Sequence, residues 1–403
     1  QYNAPGPSAV AQCVEIPQGA RLNEVSKQLE AQGVIASPYI MRTGADYAGK
    51  AGQLKFGSYL VPPRASMAEV VDTITAGGPS TCGTEVIFRV GVRDNALVLR
   101  DMNPENGRYE DRIRHDPAAG ETPEAIVQAV AKPGARLRVA VAEGTTVWQV
   151  VEAVRQAPFL EGAVGPVPPE GTLAPDTYEV NRGASRRELI DRMRVAQDAI
   201  LAAAWESRPF GLPYRTPEEA LTMASIVEKE TGVAEERPRV AAVFVNRLRE
   251  GMRLQTDPTV IYGVTNGREV LDRGLRRSEL ERRTPFNTYQ VDGLPPTPIA
   301  NPGRAAIQAA LNPENSDYLY FVADGTGGHA FARTLEEHNA NVARWRAIEQ
   351  AQGVEDRAVE AVEGTVHAPG QDRVPGALAA QRPVGQLGGE GGVPPVEPVG
   401  AHP

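Results

Sequence analysis

In the stretch LTMASIVEKETG, at 221–232, apolar residues recur at the spacing of a buried helix face, and two glutamates interrupt them. Glu230 follows Ile226 by four residues and Val227 by three, so it lies above an apolar patch. Glu228 lies about 200° away round the helix, so the two carboxyls do not share one cleft. A carboxyl with dry neighbours keeps its proton above the usual pKa of about 4.3. Glu230 is therefore a candidate general acid; the alternative is an ordinary solvated helix glutamate.

The N-terminal part alternates shorter strand-like and helix-like patterns, and one pattern occurs three times. IPQGARLNEV, VPPRASMAEV and VAEGTTVWQV each begin with Ile or Val, pass through a turn and enter an amphipathic helix, at 16–25, 61–70 and 141–150. Ser66 is a predicted helix cap, and Gly33 and Gly77 are predicted helix ends. The first unit reads as a βααβ module with strand 13–16, helix 22–32, helix 38–48 and strand 56–61.

Two further segments show strand patterns. EVIFRVGV and ALVLR, within residues 83–135, read as strands, and a short helix opens at Thr122–Pro123. YLYFVA and HAFAR, around the turn DGTGG, read as a hairpin. Thr334 then begins the last helix, with Glu337 completing a capping box. The mixture predicts an α+β fold.

The DGTGG turn and the nearby histidines raise two other kinds of site. No Lys-Ser/Thr pair follows the glycines, so the turn is not predicted to be a phosphate loop. His329 and His338 lack a third ligand at recognisable spacing, so no metal site is expected. His329 is instead predicted to lie near a cleft as a hydrogen-bond donor.

Composition sets outer limits on function. The chain has 403 residues, enough for two or three domains, and a net charge of −9 that argues against a general nucleic-acid binder. Cys13 and Cys82 do not make a disulfide framework, although they could pair in an oxidising compartment. No run of 18 apolar residues is present.

A series of motifs from 224 to 339 follows one order along the chain: ASIVEKETG, VAAVFVNRL, LQTDPTVIYG, FNTY, PIANPG, YLYFVADG and EHN. Together they resemble the YceG-like family of endolytic murein transglycosylases. In that family the catalytic acid is the second glutamate of the ExE pair, which corresponds to Glu230. The sequence departs from the family pattern at Phe286, Thr297 and Leu173–Ala174, which bears on the shape of the sugar subsites.

The reaction implied by this resemblance needs only one carboxyl group. The acid protonates the oxygen that bridges N-acetylmuramic acid and N-acetylglucosamine. As a carboxylate it then accepts the proton of the sugar's own C6 hydroxyl, which leaves a 1,6-anhydro end. A residue that performs both steps needs a pKa near the operating pH, roughly 5.5–7. No cofactor is expected.

A polar run and several scattered residues are candidates for substrate contact. The run could orient acetamido and hydroxyl groups, and the scattered residues could line the groove: Gln255, Thr256, Asp257, Asn246, Tyr262, Asn287, Tyr289 and His329. For each, a structural role is an equal alternative, and Asp257–Pro258 in particular could be a turn or cap. Asp257 is also the main rival for a second catalytic carboxylate.

The resemblance also implies an organisation. We expect a LysM-like module at 1–82, an insertion of unknown role at 83–135, a second repeat-like segment and connector at 136–180, a helix-rich catalytic domain with short sheets at 181–350 and a disordered tail at 351–403. The LysM-like module could bind glycan or simply present the catalytic domain.

The resemblance further predicts the cellular setting. Family members carry one N-terminal transmembrane helix, and because this sequence begins at Gln1, we expect such an anchor to be missing from it. The expected location is the inner membrane, with the catalytic domain in the periplasm. The expected partners are peptidoglycan strands, whose elongation the enzyme would terminate, and the penicillin-binding proteins of wall synthesis.

Two other functions remain open at this point. A muramidase-type hydrolase would need a second carboxylate, Asp257 or Glu228, to activate water. A non-catalytic wall-binding scaffold would depend on the N-terminal module alone. Anhydro ends, reducing ends or intact glycan distinguish the three functions.

Overall fold

The computed structural model describes residues 1–77, 81–103, 106–132 and 135–351. Helices and strands are mixed throughout this part, which confirms the α+β class. Within these residues, no helix combines the length and apolar character needed to cross a bilayer. The predicted tail begins at 351, but the last helix includes Ala351 and the remainder of the tail lies outside the described residues.

The N-terminal module has the predicted βααβ order. It consists of β1 (Gln12–Ile16), α1 (Leu22–Ala31), α2 (Pro38–Tyr47) and β2 (Gly57–Val61), followed by α3 (Met67–Ala76). β1 and β2 pair antiparallel, and an apolar cluster including Val14, Leu29 and Ile74 fills the space between sheet and helices. The predicted cap is present, since Ser66 and Glu69 form a capping box at α3.

A disulfide joins Cys13 on β1 to Cys82, which is fully buried. The bond closes a loop with a sequence separation of 69 residues, so it encloses the entire module. By the chain-entropy argument, closing a loop of this length stabilises the folded state by about 4 kcal/mol.

We expect Cys13→Ser/Cys82→Ser to lower the free energy of unfolding by about 4 kcal/mol, measured by chemical denaturation. Unchanged stability after substitution would contradict a structural role for the bond.

The middle of the chain forms a five-stranded sheet. Its five strands are β3 (Thr84–Val90), β4 (Ala96–Asn103), β5 (Arg108–His115), β6 (Arg136–Val141) and β8 (Thr177–Val180). The same part of the chain contains the helices α4 (Glu124–Ala131) and α5 (Val147–Gln156), and a separate short strand pair, β7 (Leu160–Glu161) and β9 (Ala184–Ser185). The strand order is β5-β4-β3-β6-β8, and β3 and β6 run parallel.

This sheet divides the chain differently from the expected domains. β3 to β5 fall in the expected insertion at 83–135, whereas β6 and β8 fall in the segment 136–180. One apolar core that includes Phe88, Ile126 and Val150 joins the two segments. Residues 83–135 are thus an integral part of the same sheet and core, and the boundary expected at 135 does not separate two packing units.

The C-terminal part is mainly helical. It contains α6 (Arg186–Glu206), α7 (Pro217–Glu230), α8 (Arg237–Arg249), α9 (Asp257–Thr265), α10 (Arg277–Glu281), α11 (Arg304–Leu311), the hairpin β10 (Tyr320–Ala323) and β11 (His329–Ala332), and α12 (Leu335–Ala351). α7 packs against α8 and α11 through a core that includes Ile226, Phe244 and Ile307. The predicted hairpin and the Thr334–Glu337 capping contacts are both present.

Buried side-chain amides join the sheet to this helical part. Asn301 donates to the Thr145 carbonyl and accepts from the Leu173 amide. Gln197 on α6 donates to the carbonyls of Gly171 and Pro302. The Asn301 bonds and the Gln197–Gly171 bond are buried and cross between the two parts, so they fix the sheet against the helices that carry Glu230.

Candidate active site

Glu230 is the last residue of α7 and is 3% exposed. The helix begins at Thr216, whose hydroxyl accepts the Glu219 amide, and it continues through almost wholly buried residues because other helices cover it on more than one side. Ile226 and Val227, the predicted apolar neighbours, are fully buried. The predicted dry setting of the Glu230 carboxyl is therefore present.

The two carboxyl oxygens of Glu230 have different surroundings. Oε1 accepts a hydrogen bond from the Thr256 hydroxyl. Oε2 is buried and has no hydrogen-bond partner among the residues that the structure describes. An unpaired oxygen in such a place is much less costly when it carries a proton than when it carries charge. Oε2 is thus suited to hold a transferable proton.

The pKa of Glu230 is raised to about 8. Burial is the main cause, and the nearby Asp257 carboxylate also raises it. The hydrogen bond from Thr256 and the positive charge of Arg247 act in the opposite direction. The value lies above the predicted window of roughly 5.5–7, because the side chain is enclosed rather than at the edge of a cleft. At neutral pH the group is mainly protonated.

The polar run predicted to contact substrate forms the entry to α9. Gln255 has a φ of 49°, a left-handed conformation that is unfavourable for a side chain other than glycine, and its amide donates to the Thr288 carbonyl over 3.2 Å. The next amide, of Thr256, donates to the Thr288 hydroxyl over 3.0 Å. Strain of this kind at a polar loop accompanies functional sites.

Asp257 lies beside the acid, paired with a tyrosine. The Tyr289 hydroxyl donates to Oδ1 of Asp257 over 2.7 Å, and burial raises the pKa of Asp257. Burial and the carboxylates of Asp257 and Glu230 raise the pKa of Tyr289 well above its ordinary value. Asp257 and Tyr289 are thus both within electrostatic reach of Glu230.

Glu228, the other glutamate of the pair, has separate partners. Its Oε2 accepts the Gly303 amide over 2.9 Å, at the start of α11. Burial raises its pKa, and its other charged neighbours are Glu143, Arg237 and Lys229. The contacts agree with the predicted divergence of the two carboxyls.

Two predicted groove residues have structural positions instead. Asn287 is fully buried, and its amide donates to the carbonyls of Glu279, Leu280 and Arg282. Its amide holds the α10 segment and is not free to contact a substrate. Asn246, on α8, similarly donates to the carbonyls of Ser316 and Tyr318, so it holds the approach to the hairpin.

Tyr262 and His329 are engaged with carboxylates. The Tyr262 hydroxyl donates to Glu170 over 3.1 Å, so it connects α9 to the sheet half of the protein. Nδ1 of His329 lies 2.7 Å from Oε2 of Glu236, whose Oε1 accepts the His329 amide. Nδ1 of His329 is therefore paired with a carboxylate of the protein itself. In the described part of the chain, no group of three His, Cys, Asp or Glu side chains is arranged to hold a metal ion.

The sequence interpretation missed Arg247. This buried guanidinium donates to the carbonyls of Leu319 and Leu254, both over 2.7 Å, and lies over the Tyr320 ring. It supplies positive charge close to Glu230 and fixes the backbone just before Gln255. An arginine inside the apolar run VAAVFVNRL was the available signal.

Comparison with known proteins shows which family the chain resembles. The profile of the YceG-like family matches residues 14–106 and 105–344. An endolytic murein transglycosylase of Bacillus subtilis (strain 168) is 29% identical over 330 residues, which are 81% of this chain and 82% of that protein. One from Streptococcus pneumoniae serotype 2 (strain D39) is 28% identical over 338 residues, 82% of this chain and 57% of that protein.

A solved structure is also similar. A YceG-like protein from Listeria monocytogenes is 27% identical, with a TM-score of 0.44 and coverage of 83% of this chain and 99% of that one. The family profile covers every residue from 14 to 344, including α7 and the residue Thr256 that contacts Glu230. The chain therefore belongs to the YceG-like family.

Proposed function

We propose that this protein is an endolytic murein transglycosylase, as its curated relatives are named. It would cleave the β-1,4 bond between N-acetylmuramic acid and N-acetylglucosamine and leave 1,6-anhydro ends. The observation that carries this proposal is the Glu230 carboxyl: Thr256 holds one oxygen, and the other is buried with no partner in the described part of the chain. Such a group holds a proton at neutral pH and can deliver it from a defined atom.

In the first step, Oε2 of Glu230 gives its proton to the bridging oxygen as the bond from that oxygen to C1 of N-acetylmuramic acid breaks. The N-acetylglucosamine fragment leaves as an alcohol, and positive charge develops at C1. In the second step the C6 hydroxyl oxygen bonds to C1, and its proton returns to the Glu230 carboxylate. The proton count of the enzyme is restored, and no water is consumed. The raised pKa of Glu230 favours the first step at neutral pH.

The hydrolytic alternative needs a second carboxylate that activates water. Glu228 is engaged by the Gly303 amide at α11. Asp257 already accepts the Tyr289 hydroxyl, and burial raises its pKa, which makes it a weaker match for a base that must be ionised. These contacts favour the one-carboxyl reaction.

Mass spectrometry of the products of peptidoglycan digestion tests this proposal. The wild-type protein is compared with the Asp257→Asn variant. We expect mass spectrometry to show 1,6-anhydro ends for both proteins. Because Asp257 raises the pKa of Glu230, its neutralisation should move the alkaline limb of the activity profile to lower pH. Reducing ends from the wild-type protein, lost in Asp257→Asn, would instead establish hydrolysis. Intact glycan would establish a scaffold.

We also propose that the protein works outside the cytoplasm, at the inner membrane, through an N-terminal anchor like those of the family. The Cys13–Cys82 disulfide supports an oxidising compartment. At that location it would cut nascent strands beside penicillin-binding proteins and so terminate their elongation. This setting rests on the family resemblance and the disulfide.

A glycan-binding role for the LysM-like N-terminal module is a further part of this proposal. The module exposes three aromatic side chains, Tyr39 by 70%, Tyr47 by 97% and Phe56 by 52%. Aromatic rings present a flat apolar face while their edges remain wet. Such faces suit the apolar side of a sugar ring, which supports a contact between the module and the strand.

A further inference from the structure

Thr256 immediately precedes α9, at the position where a threonine side chain usually caps the helix. A helix-capping threonine accepts a hydrogen bond from a backbone amide two or three residues later. The Thr256 side chain makes no such bond. Its hydroxyl instead donates to Oε1 of Glu230, 26 residues earlier in the chain. The Thr256 hydroxyl therefore contacts the acid and does not cap α9.

The surrounding polar groups hold Thr256 in this position. Its amide donates to the Thr288 hydroxyl over 3.0 Å, and its carbonyl accepts from the Thr259 hydroxyl over 2.8 Å. Thr259 and Thr288 are fully buried, and their hydroxyls lie 2.9 Å apart. Residues on both sides of α9's first turn thus fix the Thr256 backbone.

The backbone immediately before Thr256 is also constrained. Gln255 is held at a φ of 49°, and the Leu254 carbonyl accepts from the buried Arg247 guanidinium. A strained residue persists only where its neighbours determine its conformation. Here the constraint places one hydroxyl against one carboxyl oxygen.

The Thr256 hydroxyl contacts the acid rather than an open surface. Thr256 is 2% exposed, and its hydroxyl is already used by Glu230. We propose that Thr256 is a positioning residue: its hydroxyl fixes Oε1 of Glu230, so that the proton transferred to the glycan resides on Oε2, and it does not contact the glycan. This inference rests on the proposed function of Glu230 and changes the predicted role of Thr256 from substrate contact to orientation of the acid.

Removing the hydroxyl should affect the ionisation of Glu230 as well as its orientation. The charged groups that act on Glu230 are Asp257 at the start of α9 and Arg247 on α8, and the titratable Tyr289 hydroxyl lies beside Asp257. None of them is altered by Thr256→Val, which replaces the hydroxyl with a methyl group of similar size. Because the lost bond favours the ionised carboxylate, the pKa of Glu230 should rise in this variant.

The test uses Thr256→Val, Thr256→Ser and a control, Thr222→Val. Thr222 is buried on α7, and its hydroxyl donates to the Glu218 carbonyl in the same helix. On glycan strands of defined length, Thr256→Val should lower kcat by roughly 10–100-fold through misorientation of the acid, with KM within about twofold. Thr256→Ser keeps the hydroxyl and should retain most activity, as should the Thr222→Val control.

A carbon-13 NMR titration of the Glu230 carboxyl, assigned by its disappearance in Glu230→Gln, gives a readout that needs no catalysis. A higher pKa in Thr256→Val but not in Thr222→Val supports the inference. An unmoved titration, a raised KM with unchanged kcat, or equal damage from serine and valine would each overturn it. If the valine variant does not fold, Thr256→Ala removes the same hydroxyl. Full activity of Glu230→Gln would refute the proposed function, while the titration would still decide the Thr256–Glu230 contact.

Discussion

Replacing Glu230 by glutamine is expected to lower the rate of glycan cleavage by about 10²–10⁴-fold, the usual cost of losing a general acid. The glutamine amide has nearly the same size and can still accept the Thr256 hydrogen bond through its oxygen, so the site should keep its shape. Its nitrogen cannot give up a proton to the bridging oxygen. The measurement is the rate of release of anhydro-ended fragments from purified strands.

Glu228→Gln is the matched control for this prediction, because both residues lie in the last turn of α7. Glu228 accepts a backbone amide from Gly303, and a glutamine oxygen can accept the same bond. Its activity should fall by less than about tenfold. If Glu228→Gln is the inactive variant and Glu230→Gln remains active, the acid has been assigned to the wrong glutamate.

Local signals in the sequence predicted the secondary structure near the site well. The three repeated segments each lead from a strand to a helix through five residues, since β1, β2 and β6 end at Ile16, Val61 and Val141 while the next helices begin at Leu22, Met67 and Val147. A strand ending, a turn and a capped helix start are all encoded within about ten residues. The apolar face beneath Glu230 is likewise a matter of spacing within a single helix.

The same local patterns could not predict which strands pair when they are far apart in the sequence. The parallel contact of β3 with β6 brings together residues such as Val86 and Leu137, and no local pattern specifies that partnership. The consequence was an expected insertion at 83–135 that is in fact part of the central sheet.

The partners of individual polar side chains were equally hidden. Thr256 and Asn287 both occur in polar stretches that are typical of substrate contacts. In the structure the Thr256 hydroxyl donates to Glu230, and the Asn287 amide donates to three backbone carbonyls. Burial decides between a substrate contact and an internal one, and burial depends on how α9 and the 284–303 segment fold over α7. The sequence could therefore predict which residues gather around the acid more readily than what each of them does there.

Glu230→Gln should also make the protein more stable near neutral pH, because the native fold holds the carboxyl in an unfavourable place. The pKa of Glu230 rises from 4.5 to about 8 on folding. Below pH 4.5 the group is protonated in both states and has no effect on the pH dependence. Between pH 4.5 and 8 the unfolded chain releases a proton that the folded protein retains, so native stability is lost as the pH rises.

At pH 7 this linkage amounts to roughly 3 kcal/mol, which the uncharged glutamine avoids. Denaturant unfolding of the two proteins should therefore give similar free energies near pH 4 and a gap that widens towards pH 8. Glu218→Gln, at an exposed position in the first turn of the same helix, should change stability by no more than about 1 kcal/mol. A gap that does not vary with pH would mean that Glu230 is not a buried acid that stays protonated on folding. If the difference in free energy of unfolding widens with pH and Glu230→Gln no longer cleaves glycan, then the carboxyl that destabilises the fold near neutral pH is also the group that supplies the catalytic proton.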